Sequence, residues 1–326
     1  MKIRFLIILS SFLCSLTACY NSIKEDTYYN KYHSETILAE ELISQEKFED
    51  ALLKYEKLFS EYDFIFLRDY KVASQISLLI GEKEKGLIYI KKAISNGWGL
   101  ANLKEQKFLS KNLLDSDWKN IEKQYKDLRS LFLKRIDSTL KNRINLMIDK
   151  DQKLAYEAYI IEDEQEQEKF ILENFPKHSE EQLINLIEIM EINDYPGEFL
   201  IGNDFWVSTI LSHHNSQGAD YVRKDTLYNF IKPELIKSLK KGYISPYEIA
   251  LVEDWKKTVT SEWNESTYGY LTPPTTSNIS KINKARKAIG LRTVELRNKL
   301  IDIEVKTGMN FYLPDWVDGK IKIEEK

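Results

Sequence analysis

An internal repetition near the start of the chain is the strongest constraint on its fold. The segments 48–58 and 83–93 align with a constant offset of 35 residues, which places Ala51 opposite Gly86 and Tyr55 opposite Ile90. In both segments the apolar positions recur every three to four residues, as on one face of an α-helix. The small residues at positions 51 and 86 allow two antiparallel helices to approach closely. The repetition therefore predicts two successive helical hairpins.

The length of the repeat indicates the kind of hairpin. The offset is close to the period of about 34 residues in tetratricopeptide repeats, and Gly81 falls at the predicted turn inside the second hairpin. Residues 28–125 therefore resemble a tetratricopeptide-like helical region. Because fewer than three repeats rarely fold alone, we expect this region to pack against a capping helix or the next domain. The resemblance implies a concave face for a peptide or protein partner. The alternative is a scaffold that only packs against the C-terminal half.

The rest of the chain also shows helical periodicity. Amphipathic helices are predicted over 121–148, 183–190, 228–241, 245–257 and, in two stretches around Gly290, 281–304. The densely apolar segment 205–214 is predicted as a buried helix with Asp204 as its N-cap, and its β-branched residues leave a strand as the alternative. The acidic run 162–169 is a solvated helix or loop, and 262–278 is a loop. The predicted fold class is mainly α. Short tetratricopeptide-like hairpins precede a second all-helical domain over 126–310 and a C-terminal tail over 311–326.

The first residues predict export and lipid anchoring. Lys2 and Arg4 precede an apolar run over 5–13, which is too short to span a bilayer and is typical of a signal peptide. The run leads to Leu-Thr-Ala-Cys at 16–19, which resembles the lipobox of bacterial lipoproteins, whose cysteine is lipidated and becomes the new N-terminus. We therefore expect a signal peptide over 1–18, a lipid on Cys19 and a tether over 19–27. The alternative is an ordinary signal peptide with an incidental cysteine.

This anchor predicts where the protein works and what its fold lacks. It places the chain in the bacterial cell envelope, on the periplasmic or surface face of the outer membrane. Cleavage after residue 18 would also remove Cys14, the only other cysteine, so the folded chain would contain no disulfide.

Charge and motif content exclude several classes of function. A net charge of -4 offers no basic footprint for nucleic acid, and the basic residues between 281 and 297 are expected to face solvent from amphipathic helices. Four histidines without a His-x-x-x-His spacing, and no thiolate cluster, argue against a metal site. Because a glycine-rich phosphate loop is also missing, we predict neither a metal nor a cofactor.

Short motifs in the second half occur in a distinctive order. They lie at 147–152, 195–197, 201–202, 213–214, 253–255, 268–269 and 282–291. Together they resemble a bacterial family of uncharacterised proteins, the domain of unknown function 6624, over about residues 135–305. Family members often have Gln-His where this chain has His213-His214, and Asp-Arg where it has Asp254-Trp255. The resemblance implies no assigned activity.

One group of side chains in this half could carry chemistry. His213 or His214 together with Glu253, Asp254 and Tyr268 would form a general acid/base unit, in which a carboxylate orients an imidazole and a phenol donates a hydrogen bond. The same residues could instead form a polar ligand site, or the histidines could cap a helix C-terminus. Two functions follow as hypotheses. One is a protein-binding or scaffold module, and the other is an enzyme or small-ligand receptor that uses this cluster.

Overall fold

Helices form the described part of the chain. The structure, a computed structural model, describes residues 28–203, 207–313 and 317–325, so the predicted signal peptide, the tether and Cys19 lie outside the described residues. In these ranges the chain is mainly α, as predicted, and an isolated β-bridge joins Thr275 to Glu324. None of the helices in these ranges combines the length and the apolar character needed to cross a membrane.

Two antiparallel helical hairpins open the described chain. Helix α1 (Tyr28–Ser44) pairs with α2 (Phe48–Glu61), and α3 (Leu67–Leu79) pairs with α4 (Lys83–Ser95). Ala51 is fully buried, and a Cβ atom added at Gly86 would lie 2.8 Å from the Leu78 side chain. The small residues therefore permit the close approach of the paired helices, and the predicted hairpins are confirmed.

The prediction of one helix over 121–148 is wrong. After the short helices α5 (Leu100–Lys104) and α6 (Lys107–Asn112), the chain forms α7 (Asp115–Arg135) and then a separate α8 (Ser138–Tyr159). The backbone is extended at Ile136 and Asp137, and the Asp137 carboxylate accepts the N–H of Leu140 at 2.9 Å. Asp137 is thus an N-cap that starts a new helix inside an unbroken apolar pattern. The acidic run begins α9 (Glu164–Asn193).

Seven further helices complete the described chain. They are α10 (Glu198–Ile201), α11 (Ser208–Asn215), α12 (Ala219–Lys224), α13 (Leu227–Lys241), α14 (Pro246–Thr260), α15 (Ile279–Ala288) and α16 (Val294–Thr307). The expected N-cap at position 204 lies outside the described residues, whereas Ser245 and Glu248 form a capping box at the start of α14. The helices predicted for this half are present, and 262–278 is a loop containing short turns.

The two halves of the chain share a hydrophobic core. The buried apolar residues of the hairpins join Leu300 and Ile303 of α16 and, after it, Met309 and Phe311. A second core lies within residues 140–252. The segment predicted as a tail therefore packs against the body of the protein, and α1 contacts both α13 and α16. A short hairpin array is thus covered by its own C-terminal half, as its small size requires.

Candidate functional site

The predicted histidine pair belongs to two different polar networks. His214, at the end of α11, is buried, with its Nδ1 atom 2.7 Å from Ser179 Oγ and its Nε2 atom 3.1 Å from Asp225 Oδ1. The contact between His214 Nε2 and Asp225 Oδ1 does not have the angle of a hydrogen bond. It becomes an ion pair only when the ring is protonated. The Asp225 carboxylate also accepts the N–H groups of Leu227 and Tyr228 at the start of α13. His214 therefore connects α9 to the N-terminus of α13.

His213 lies on the more exposed side of α11. Its ring is 43% exposed, and its Nδ1 atom lies 2.7 Å from Asp151 Oδ2. The other oxygen of the same carboxylate is 3.6 Å from His178 Nε2. Asp151 thus lies between two imidazoles that the sequence did not predict to be close. No group of three or more His, Cys, Asp or Glu side chains in the described ranges has an arrangement that could hold a metal ion.

Asp254 and Tyr268 do meet, but through the backbone. The buried Asp254 carboxylate accepts the Ser266 hydroxyl at 2.7 Å and the N–H groups of Thr267, Tyr268 and Tyr270 at 2.6 to 2.8 Å. It therefore fixes the loop that follows α14. Glu253 accepts hydrogen bonds from the Tyr228 hydroxyl at 2.5 Å and the Lys232 ammonium at 2.7 Å. The five residues predicted as one cluster are thus distributed among separate networks.

The two adjacent histidines should differ in their effect on stability. We expect His214→Ala to lower the free energy of unfolding by about 2–3 kcal/mol, because it leaves a void and removes the partner of Ser179. The matched variant His213→Ala should lower the free energy of unfolding by at most about 1 kcal/mol, because the contact of His213 with Asp151 is partly exposed to water. Urea unfolding of both variants measures the difference. Equal losses would contradict the contacts described for His214.

A cavity of about 280 Å³ lies elsewhere, between the hairpins and the C-terminal half. One wall is formed by α1 and the N-terminal half of α3. The rest of the lining comes from Glu198 of α10, residues 202–203, the start of α14, the turn between α15 and α16, and Tyr312. Apolar and aromatic side chains alternate in this lining with charged ones. Because these parts of the lining are distant in the sequence, the cavity exists only when both halves are packed together.

A buried ion triad lines part of the cavity. Arg292 contacts Glu40 with two nitrogens, at 2.6 and 2.7 Å, and Arg68 Nη2 lies 2.7 Å from the same carboxylate. Burial opposes ionisation of Glu40, but the two guanidinium groups outweigh it and hold its pKa below the ordinary value. Next to the triad, Asp69 accepts a hydrogen bond from the Tyr32 hydroxyl, and burial raises the Asp69 pKa. The triad ties α1 and α3 to the turn before α16.

Glu198 and Lys71 occupy another part of the lining. The Glu198 carboxylate accepts the N–H of Leu67 at 2.6 Å, at the start of α3, and Lys71 lies one turn further along that helix. Burial raises the pKa of Glu198 to about 7, against the opposing effects of the Leu67 N–H, Arg135 and Lys71. Burial also lowers the pKa of Lys71 to about 8. Both groups therefore titrate near neutral pH, a property that is concentrated at functional sites.

Several polar groups of the lining have no hydrogen-bond partner among the described residues, and Lys71, His33 and Asn203 are among them. The Lys71 ammonium lies 5.1 Å from the ring centre of Trp98 and 4.6 Å from that of Tyr312, and makes only these cation–π contacts. The buried His33 ring has an unpartnered Nε2, and desolvation lowers its pKa to about 3, so the ring is neutral. Buried polar atoms are rarely left without partners. Lys71, His33 and Asn203 are therefore available to a ligand.

This cavity was not among the sites predicted from the sequence. One signal was present, because Glu40 falls on the same buried stripe of α1 as Tyr32, Thr36 and Ile43, where an amphipathic helix normally carries apolar residues. The other lining residues are separated by long stretches of sequence and share no motif. Comparisons of this chain with protein-family models, with curated proteins and with solved structures found no match.

Proposed function

We propose that this protein is a lipid-anchored receptor of the bacterial cell envelope that binds a small polar ligand in the cavity between its two halves. The observation that carries this proposal is a cavity lined by polar groups without hydrogen-bond partners, Lys71 and His33 among them, beside the paired Glu40, Arg68 and Arg292. Pockets that combine apolar walls with a few fixed polar groups are typical of small-molecule sites. The lipobox-like segment at 16–19 supports the anchor.

The volume of the cavity limits the size of the ligand. Small-molecule pockets commonly measure about 300–1,000 Å³, and this cavity has about 280 Å³. A compact metabolite fits such a volume, whereas a folded peptide segment or a nucleotide needs more space. Reception or transport of a small metabolite is therefore better supported than recruitment of a macromolecule.

The other hypotheses have less support. A peptide on the tetratricopeptide-like face would need helix surfaces that α13 and α16 already contact. An enzyme using His213, His214, Asp254 and Tyr268 would need these side chains to converge on a substrate. Instead, the histidines face Asp151 and Asp225, and Asp254 is occupied by the loop over 266–270.

Lys71→Met is expected to abolish ligand binding without reducing stability. Methionine fills a similar volume but cannot donate a hydrogen bond, and it removes a largely desolvated charge that forms no salt bridge. The free energy of unfolding should therefore stay constant or rise, as is common when a functional group is replaced. A ligand-observed NMR screen of the purified full-length protein in detergent, against a library of small metabolites, measures the binding.

The matched control is Lys92→Met. Lys92 also lies over an aromatic ring, 5.7 Å from the centre of Tyr70, but it is exposed and outside the cavity. This variant should bind every compound that the wild type binds. The proposal fails if no compound binds, or if the compounds that bind do so equally well to Lys71→Met.

A further inference from the structure

We infer that the ligand of this cavity carries a carboxylate that binds Lys71, and that its binding is coupled to protonation of Glu198. The inference rests on the proposed function and adds the chemical class of the ligand and the effect of pH. It follows from the positions of four groups, namely Lys71, Glu198, Arg68 and Arg292.

Lys71 is the cation of the lining that remains available. Arg292 and Arg68 are both engaged by Glu40, and Arg68 Nε also donates to the Phe311 carbonyl at 2.9 Å. The Lys71 ammonium has three donors, yet in the part of the chain that the structure describes it meets only the faces of Trp98 and Tyr312. Glu198 acts on this ammonium only from beyond ion-pair distance. A ligand carboxylate would supply the missing acceptor and an opposite charge in direct contact. A neutral or cationic ligand would leave this ammonium desolvated and unpaired.

Glu198 places a second carboxyl group beside that position. Its Oε1 atom is fixed by the Leu67 N–H, one helical turn from Lys71, and the charged groups that act on it are Lys71 and Asp69 of α3 and Arg135 of α7. A ligand carboxylate at Lys71 would bring a further negative charge into the same buried space. Two carboxylates in such a space favour a state in which one of them is protonated. Glu198 would then take up the proton and could donate a hydrogen bond to the ligand.

The sign of the pH effect follows from this coupling. Because the bound anion raises the pKa of Glu198 above its ligand-free value of about 7, binding takes up a proton. Affinity should therefore rise as pH falls from 8 towards 7, and level off below 7. Loss of charge from Lys71, whose pKa is about 8, acts in the same direction. His33, with a pKa of about 3, stays neutral throughout this range.

The experiment uses three probes with one carbon skeleton: benzoate, benzamide and benzylamine. Each is titrated into the purified full-length protein in detergent at pH 6 and pH 8, with binding followed by NMR. Benzoate remains ionised at both pH values, so any pH dependence of its binding belongs to the protein.

We expect benzoate to bind more tightly than the other two probes, and to lose roughly tenfold or more in affinity between pH 6 and pH 8. The Glu198→Gln variant keeps an oxygen for the Leu67 N–H but cannot titrate. Its affinity for benzoate should therefore fall only about twofold between pH 6 and pH 8, which is the part contributed by Lys71.

The outcomes separate this inference from the proposed function. If benzamide or benzylamine binds more tightly than benzoate, the ligand is not an anion, but the cavity still binds small molecules. If benzoate binds and the Glu198→Gln variant keeps the full pH dependence, the coupling to Glu198 is refuted. If none of the three probes binds and the metabolite screen is also empty, the proposed function itself fails.

Discussion

Replacing Glu40 with glutamine is expected to reduce the free energy of unfolding by about 3–5 kcal/mol, the usual cost of removing one partner from a buried ion pair. Glu40 is the shared partner of Arg68 and Arg292, and all three side chains are largely shielded from water. The variant keeps the shape of the side chain but leaves Arg292 without a counter-charge, and Arg68 with only its longer contact to Asp69 at 3.4 Å. Urea unfolding of the full-length protein measures the loss.

The control for this variant is Asp302→Asn. Asp302 forms an ion pair with Lys320 at 2.7 Å, but more than half of each side chain is exposed. Exposed pairs contribute little, so this carboxyl-to-amide change should move stability by less than about 1 kcal/mol. Equal effects of the two variants would contradict a special role for the buried triad.

The triad also makes a specific prediction for acid unfolding. Because the arginines hold the pKa of Glu40 below its ordinary value of 4.5, its contribution is complete above pH 4.5 and is lost as the pH falls further. The difference between wild type and Glu40→Gln should therefore shrink below pH 4.5. A difference that stays constant down to acid unfolding would show that the lost stability does not come from the charge of Glu40.

Asp254→Ala is the second variant with a large expected effect. It should lower the free energy of unfolding by about 3–4 kcal/mol, because several buried hydrogen bonds to one carboxylate are removed together. Its carboxylate accepts three backbone N–H groups and a hydroxyl from the loop after α14. The loss is measured by urea unfolding, with the exposed Asp220→Ala as control. An Asp254→Ala protein as stable as the wild type would contradict this structural role and favour the catalytic hypothesis for that residue.

Local patterns in the sequence predicted most of the helices because helix formation depends on neighbours three and four residues apart. The same dependence explains the error at 136–137. Apolar residues continue at helical spacing through this segment, and only the side chain of Asp137, which bonds to the Leu140 N–H, shows that a second helix begins. A capping aspartate inside a periodic pattern was the available signal.

The expectation of a solvent-exposed basic face over 281–297 is wrong for the arginines. Lys281, Lys284 and Lys287 are exposed as expected, but Arg286 and Arg297 are buried. Arg286 donates to the carbonyls of Tyr268 and Arg292, and Arg297 donates to those of Val317 and Gly319. The planar guanidinium group can satisfy several acceptors in a dry site, whereas a lysine ammonium is more strongly hydrated. Periodicity treats the two residue types alike and cannot separate them.

The cavity could not be predicted in the same way. Its walls combine α1 and α3 with Glu198, the start of α14 and the turn before α16, so the juxtaposition depends on tertiary packing. The buried position of Glu40 indicated that a partner must exist, but nothing local identified Arg68 and Arg292. The mainly α fold class could therefore be predicted from the sequence, whereas the cavity could be found only in the structure.

The packing of α16 and Phe311 into the hairpin core has a consequence for the order in which the chain acquires its structure. A polypeptide is made from its N-terminus, and regions that depend on sequence-distant contacts complete their folding late. The hairpins are synthesised early, yet the residues that finish their core come almost at the end of the chain. Until those residues emerge, the apolar surface of the hairpins stays open to water and to chaperones. Truncations near the C-terminus should therefore trap a nascent chain that is helical but unfinished.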